Sequence, residues 1–438
     1  MLATTARELR ALRMKTSGKP LVPVLAFFLA LSMWGYYAHT RQLIAQRLAA
    51  NGFPERNFSD LFPRWLATRE LLLNGCDPYS AEVTRDIQRG YYGRPLDRSR
   101  ATDPIDEQRF AYPLFVVFLL APTIGLPFTV VKSLFTLLLS ASAVWTVLLW
   151  IQVMGLKAGR DKIVACILLA LATIPYAQGI QLQQLSVLVA FLLAASVYAL
   201  AKEKFIVAGS LLALAPTKPQ LSIWFIGFVL LWSVSGWRSR KWVAISFFTV
   251  LIVFMLASEV LLPGWSFQFL AGILPYLRYT QATTSVHQLF GRIGETIVLV
   301  LLAAMVALAA WRARFEAVDS GRFRLAVSLV LVFTCVFIPS LAPHNQVLLV
   351  PAYLLLVKER KCIWAGGRIA RSLWSAAWLT VVWPWVAGTL LATTLVFDLA
   401  NSRLWDLPLA TNPLIPIAAF AALVPLLVRQ ADRATSFG

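Results

Sequence analysis

The chain has 438 residues, 59% of them hydrophobic and 14% charged, and a mean hydropathy of +0.70. Soluble domains run about 45–50% apolar and about 25% charged, so most of this surface is built to meet lipid, and a soluble enzyme is excluded. The formal net charge of +19 would direct a soluble protein toward nucleic acid; here the placement of the charge decides its meaning. Cys76, Cys166, Cys335 and Cys362 stand too far apart for a disulfide framework or a zinc knuckle. Only three histidines are present, no motif speaks for a metal, and no cofactor is expected.

A membrane-crossing helix needs about 20 apolar residues. Runs that meet or approach this lie at 20–38, 128–150, 163–180, 182–201, 205–217, 220–235, 243–262, 293–311, 325–339, 346–357, 373–397 and 409–428, which predicts an all-α polytopic protein of about twelve transmembrane helices. A thirteenth apolar stretch, 111–126, is cut by Pro113 and Pro122 and ends before Pro127; by itself it reads as a short crossing or as a re-entrant or interfacial helix.

Basic clusters occur in the N-terminal segment and around residues 157–162, 202–204, 238–241, 312–324, 358–371 and 429–433. These fall in alternate loops if 111–126 is not a crossing, so the positive-inside rule places both termini in the cytoplasm of a cell-membrane protein. The first run is longer than a signal-peptide core and reads as an uncleaved span. One large extracytoplasmic loop remains, residues 39–110, within a single membrane-embedded domain, 1–438. Its 11 basic and 10 acidic residues nearly cancel, and 72 residues of this polarity are expected to bury little core alone.

Within that loop, Pro63 to Leu73 has helical composition, and Asn74-Gly75 supplies a stop. Asp60 stands where an N-cap would be and one turn before Arg64. The aromatic residues Trp34, Tyr36, Tyr37, Tyr91, Tyr92, Trp265 and Tyr276 fall at predicted interfaces and read as belt residues.

The ordered set Asp60, Ala67, Arg69, Leu72, Gly75, Asp77-Pro78-Tyr79 and Phe110-Ala111-Tyr112-Pro113-Leu114 resembles the first outer loop of bacterial GT-C glycosyltransferases. Family 87, which includes polyprenol-phosphate-mannose-dependent mannosyltransferases, is the closest resemblance. Further along, Gln184-Leu185-Ser186 is similar to the family's Gly-Gln-x-Asn, with Gln183 in place of the glycine. The segment from Ala208 to Lys218-Pro219 and the run from Pro339 through His344 to Pro351 resemble later family segments. The resemblance covers roughly 55–355 and implies a GT-C fold with short juxtamembrane helices in the first loop. It also implies transfer, with inversion, of mannose or another hexose or pentose from a polyprenyl phosphate to a lipid or glycan acceptor.

Such a transfer needs one base to take the proton of the attacking hydroxyl, and cations to neutralise the departing phosphate. Asp60 is the leading base; its alternatives are a helix N-cap or an ion pair with Arg64. His344 is a candidate proton relay or phosphate ligand, or an interfacial histidine bonded to a carbonyl. Lys218 either contacts phosphate or snorkels. Gln184 can hydrogen-bond sugar or phosphate, or satisfy a helix end. Arg278, His287 and Arg292 can hold an anionic headgroup, while Glu259, Glu295 and Asp77 are reserve carboxylates, Asp77 having a strong turn explanation before Pro78. A polytopic transporter or lipid-linked sugar flippase is the alternative class. Transporters usually carry an internal repeat and mid-span ionisable residues, whereas the polar residues here cluster at helix ends and in one loop.

Overall fold

A computed structural model describes residues 21–53, 57–279, 283–338, 342–394 and 404–435. The basic cluster from Arg7 to Lys19 lies outside the described residues. Among those described, every regular element is helical. In chain order they are α1 (Leu21–Ala50), α2 (Phe62–Asn74), α3 (Ala81–Tyr92), α4 (Val116–Leu120), α5 (Phe128–Val153), α6 (Arg160–Leu171), α7 (Ile174–Gln181), α8 (Leu185–Ala201) and α9 (Phe205–Leu214). There follow α10 (Pro219–Ser235), α11 (Trp237–Leu261), α12 (Trp265–Tyr279), α13 (Ser285–Ala313), α14 (Gly321–Phe337), α15 (Val350–Lys358), α16 (Arg360–Trp364), α17 (Gly367–Thr394), α18 (Leu407–Thr411) and α19 (Leu414–Thr435).

Six helical stretches are long and apolar enough to cross a bilayer unaided: α1, α5, α11, α13, α17 and residues 404–430. The bent pair α6 and α7, 67° apart, makes a seventh if it counts as one broken crossing. The other runs of the expected twelve form shorter helices, so twelve full-length spans are not what the fold displays. α8, α10 and α14 have 17 residues each, and α15 has nine. Hydropathy reports composition, whereas helix length is cut where proline and polar turns interrupt the backbone ladder, as at Thr173-Ile174-Pro175, Lys218-Pro219 and Pro343. α14 shows why length is dispensable: every residue from Leu325 to Val336 is buried, so this helix is packed by protein on all sides. Segment 111–126 contributes only the five-residue α4 and a 3-10 turn at Ala121–Thr123, too short to cross.

The 39–110 segment has more core than its polarity predicts. α2 carries Pro63 in its first turn and ends on Gly75, whose φ of +67° suits glycine and whose N–H reaches Leu71 O at 3.1 Å. α3 starts on Ser80, whose hydroxyl accepts from the Val83 N–H. Their apolar faces bury Phe62, Trp65, Ile87, Tyr91 and Tyr92 in one cluster with Tyr112, Phe128, Phe135, Leu185 and Trp265. The loop thus borrows its core from α4, α5, α8 and α12. Tyr36, Tyr37, Tyr91, Tyr92 and Trp265 are buried, which corrects their reading as interfacial belt residues. The rings of Tyr91, Tyr92 and Trp265 fill the joint between loop and bundle, whereas Tyr36 and Tyr37 pack in a separate cluster with Ile174, Ala177 and Trp405.

The basic clusters gather at helix ends that touch one another. Arg324 Nε donates to Val153 O and Lys358 Nζ to Met154 O, each at 2.8 Å, while Arg240 Nη1 donates to Arg314 O at 3.0 Å. α8 runs from Gln184 to Lys202, and α10 from Lys218 to the turn before Arg238. Both helices therefore separate a polar turn from a basic one.

The approach of α9 to α11 depends on Gly209. A Cβ there would overlap the Ser246 hydroxyl and the Val243 carbonyl, the close backbone contact that small residues permit between membrane helices. Gly209→Ala should destabilise the protein by about 1–3 kcal/mol, the usual range for overpacking. The check is a lowered thermal unfolding midpoint in detergent, with Gly227→Ala, where added bulk meets no atom within 4 Å, as the control.

Candidate active site

The site is assembled on the three residues that join α7 to α8. Leu182, Gln183 and Gln184 reverse the chain, and Gln183 occupies the left-handed region with φ +53°. This is the position where the glycine of Gly-Gln-x-Asn would fall. A non-glycine residue pays for that conformation, and here the side chain is fully engaged. Gln183 Nε2 donates at 3.0 Å to Thr136 Oγ1, Ile180 O and Gln181 O, and Oε1 accepts from Ser59 Oγ at 2.7 Å.

The strand of loop leading to α2 docks on this turn. Asp60 N–H donates to Leu182 O at 2.9 Å, and Arg41 reaches both Gln181 O and Phe58 O at 3.3 Å. Asp60 does not cap α2: the capping position is Leu61, with no side-chain bond. Nor do Asp60 and Arg64 form an ion pair within 4 Å among the described residues. The Asp60 carboxylate instead accepts from Gln184 Nε2.

Gln184 Oε1 accepts from Lys218 Nζ at 2.8 Å, and Lys218 Nζ also donates to Asn345 Oδ1 at 3.1 Å. An ammonium can only donate and a carboxylate can only accept, so the orientation of the Gln184 amide is fixed between them. Gln184 and Lys218 are each 4% exposed, while Asp60 is half-buried. Lys218 occupies the turn between α9 and α10. Burial pulls its ammonium down to about 7, the nearby Arg64 charge adds to this, and Asp60 opposes it.

His344 lies in the 3-10 segment Pro343–Leu349. Its N–H donates to Gln178 Oε1 at 2.9 Å, and its ring Nδ1 stands 3.3 Å from the same oxygen. Since Oε1 only accepts, Nδ1 carries the proton of the neutral ring and Nε2 is left as an acceptor. Burial, then the charges of Lys218 and Arg64, hold the imidazole well below its ordinary pKa. Gly179 makes this packing possible, because a Cβ there would come within 2.7 Å of Val187 and 3.7 Å of the His344 Cβ.

Three residues outside the set of candidate site residues complete the arrangement. Arg64 lies over the Tyr112 ring at 4.0 Å and donates to its hydroxyl at 2.6 Å; its Nε is buried with no hydrogen-bond partner among the described residues. Asn345 and Gln178 hold Lys218 and His344. Asn345 follows the singled-out His344 directly, and Gln178 is a polar residue inside an apolar run, so both carried a readable signal.

The remaining candidates lie elsewhere or have local tasks. Asp77 Oδ1 accepts from Tyr79 N–H at 2.8 Å, the turn anticipated before Pro78. Glu259 Oε1 accepts from Gly264 N–H at 2.6 Å. Glu295 accepts from Thr284 Oγ1 at 2.5 Å and pairs with His287 Nδ1 at 2.9 Å, across a bend at Gly291 whose φ is +66°. Arg292 is exposed beside that pair. Arg278 belongs to α12, and its side chain lies outside the described residues.

Gln183→Ala keeps the left-handed backbone and loses the bridge to Ser59 and Thr136, whereas Gln183→Gly loses the bridge but relaxes the backbone. Ala should therefore be the less stable variant by about 1 kcal/mol. Thermal unfolding of the two proteins side by side tests the order; a more stable Ala variant would contradict the strained-turn account.

Comparison with known proteins gives a match to the model of glycosyltransferase family 87 over residues 110–339, about half of the chain. No curated protein matches the chain, and no solved structure does.

Proposed function

Because the chain belongs to glycosyltransferase family 87, a family of GT-C-type membrane glycosyltransferases, we propose that it moves a sugar from a polyprenyl-phosphate donor to a hydroxyl of a lipid or glycan acceptor. The transfer inverts the anomeric centre and takes place at the extracytoplasmic face of the cell membrane, with both termini in the cytoplasm. The observation that carries this reading is the Asp60–Gln184–Lys218–Asn345 chain of hydrogen bonds. It sets one carboxylate and one buried cation on either side of a single amide. The short helices α8, α9, α10, α14 and α15 count as further crossings in this reading, three of them at the lower limit of spanning length and two below it. The separation of polar turns from basic ones along α8 and α10 supports the assigned sides. Membership of this family does not favour a transporter.

Asp60 is the general base: its half-buried carboxylate takes the proton as the acceptor oxygen attacks the anomeric carbon. Lys218 and Arg64 meet the phosphate as the sugar–oxygen bond breaks, and their positive charge stabilises the leaving group. Gln184 holds both ends apart, so the base and the cation do not collapse into an ion pair that would quench each other. His344, with Nε2 free to accept, relays the proton that Asp60 takes from the acceptor hydroxyl, or accepts a hydrogen bond from a sugar hydroxyl. Arg278, His287 and Arg292 are assigned to the headgroup's entry along the 263–292 segment, with Asp77, Glu259 and Glu295 as supporting carboxylates.

Asp60→Asn should cut transfer by roughly 10²–10⁴-fold while donor binding persists, read by product formation from a panel of polyprenyl-phosphate hexoses and pentoses alongside donor-binding titration. Substantial retained activity would remove Asp60 from the base role.

The depressed Lys218 pKa sets a pH dependence. The phosphodiester of the donor does not titrate near neutrality, so binding follows the ammonium: full below about 7 and weakening as pH rises through it. Lys218→Arg should abolish this falling limb, and Lys218→Met should weaken binding at low pH by roughly ten- to hundredfold. Equal pH profiles for wild type and Lys218→Arg would show that Lys218 does not contact the phosphate.

A further inference from the structure

Behind the turn that carries His344 and Asn345 lies a cavity of about 160 Å³. Its walls come from α5, α6, α7, α15, α17 and α19 and the Pro343–Leu349 segment. They are almost wholly aliphatic and aromatic, and they extend from buried Ile174 to Val357, which is 47% exposed, so the cavity reaches the surface of the bundle.

Four polar side chains in the lining break the pattern, and one is Tyr176, whose buried hydroxyl has no hydrogen-bond partner among the described residues. Asn412 is 1% exposed, and neither end of its carboxamide has a hydrogen-bond partner among the described residues. Gln346 is 7% exposed; its Nε2 donates to Asn412 O at 3.1 Å, but its Oε1 has no partner there. Trp378 Nε1 is a further donor in the same condition. Buried donors and acceptors are normally paired, and an unpaired amide in an apolar wall is costly.

Besides the Tyr176 hydroxyl, the lining therefore offers two donors, Asn412 Nδ2 and Trp378 Nε1, and two acceptors, Asn412 Oδ1 and Gln346 Oε1, within hydrocarbon walls. A bare isoprenoid chain would match the walls and leave all four unpaired. A sugar or nucleotide would match the polar atoms and fail against the walls. We propose that this cavity binds a fatty-acyl ester of a polyol, with the acyl chain along the apolar walls. The ester carbonyl accepts from Asn412 Nδ2 or Trp378 Nε1, and a neighbouring free hydroxyl donates to Asn412 Oδ1 or Gln346 Oε1. Such a lipid would lie against the turn that presents His344 and Asn345 to the candidate active site. The inference stands apart from the chemistry assigned to Asp60, because its test reads binding and not transfer.

The test uses the purified full chain in detergent and a 1-acylglycerol probe carrying a diazirine in its acyl chain. After photolysis, labelled peptides should fall within 343–357 and 374–385. Unlabelled 1-oleoylglycerol should suppress labelling at concentrations about tenfold lower than its 1-O-alkyl ether analogue, which lacks the carbonyl, or than a polyprenyl phosphate. Asn412→Leu, close in size, should lower labelling at least about fivefold without lowering the thermal unfolding midpoint, since it removes an unpaired amide. Val381→Trp, which fills the cavity from α17, should block labelling by bulk alone. Labels outside these segments, equal suppression by the ether, or suppression by the polyprenyl phosphate at the same concentration as the ester would each overturn the proposal. So would an Asn412→Leu variant that labels like the wild type. The competition series on the wild-type protein stays decisive whether or not either variant folds.

Discussion

The site depends on one left-handed residue. Gln183 turns the chain between α7 and α8 through a backbone conformation that glycine adopts freely and glutamine does not. What holds it there is the same set of bonds that ties the loop to the bundle: Ser59 from the loop on one side, Thr136 from α5 on the other. Relaxing Gln183 would therefore release Asp60 as well. The turn also determines where Gln184 points, and through it how far the carboxylate of the loop stands from the lysine of the next helix pair. Asp60 and Lys218, 158 positions apart in sequence, are thereby held in fixed relation by three consecutive residues.

Burial gives that arrangement its electrostatic character. A lysine at the membrane boundary ordinarily extends its ammonium to water. Lys218 instead points inward, satisfied by two side-chain amide oxygens and by no carboxylate. Neutral acceptors solvate the charge without cancelling it, which leaves a cation available to an incoming anion. Arg64 is prepared in a different way, with its guanidinium spread on the Tyr112 ring and one hydroxyl bond fixing its plane. The same burial that lowers the Lys218 ammonium keeps His344 neutral, so adjacent residues of like potential charge coexist without repulsion.

Much of this was legible in the sequence where the signal is local. The start, length and glycine stop of α2 follow from Pro63 and Asn74-Gly75; Asp60 stood out at the expected start of that helix, and Gln184 and Lys218 as polar residues at the edges of apolar runs. Their convergence was visible only through the order of motifs in a resembling family. Arg64 was recognised merely as a partner for Asp60, because an i, i+4 spacing suggests an ion pair; the ring that captures it, Tyr112, lies 48 residues away. The count of crossings was the least legible quantity. Hydropathy cannot distinguish a lipid-facing span from a short helix enclosed by protein, as α14 is, nor see the 67° bend that splits the run over α6 and α7. The loop's core was underestimated for a related reason: its apolar partners sit on α4, α5, α8 and α12, outside the segment being judged.

The 17-residue helices have a consequence for the lipid wherever they meet it, as α10 does through Ile223, Trp224 and Val234 while the enclosed α14 does not. At 1.5 Å per residue each is about 26 Å long, a few ångströms less than the roughly 30 Å hydrocarbon layer. Two of them, α8 and α10, begin at Gln184 and Lys218, so the shortfall is expressed beside the polar turns. A bilayer meets such a mismatch by thinning or by letting water and headgroups dip. Under the proposed transfer and topology, a phosphate carried on a long chain would then ride down with the membrane surface to the level of Lys218, and the bilayer itself would perform part of the delivery that a soluble enzyme assigns to a binding cleft.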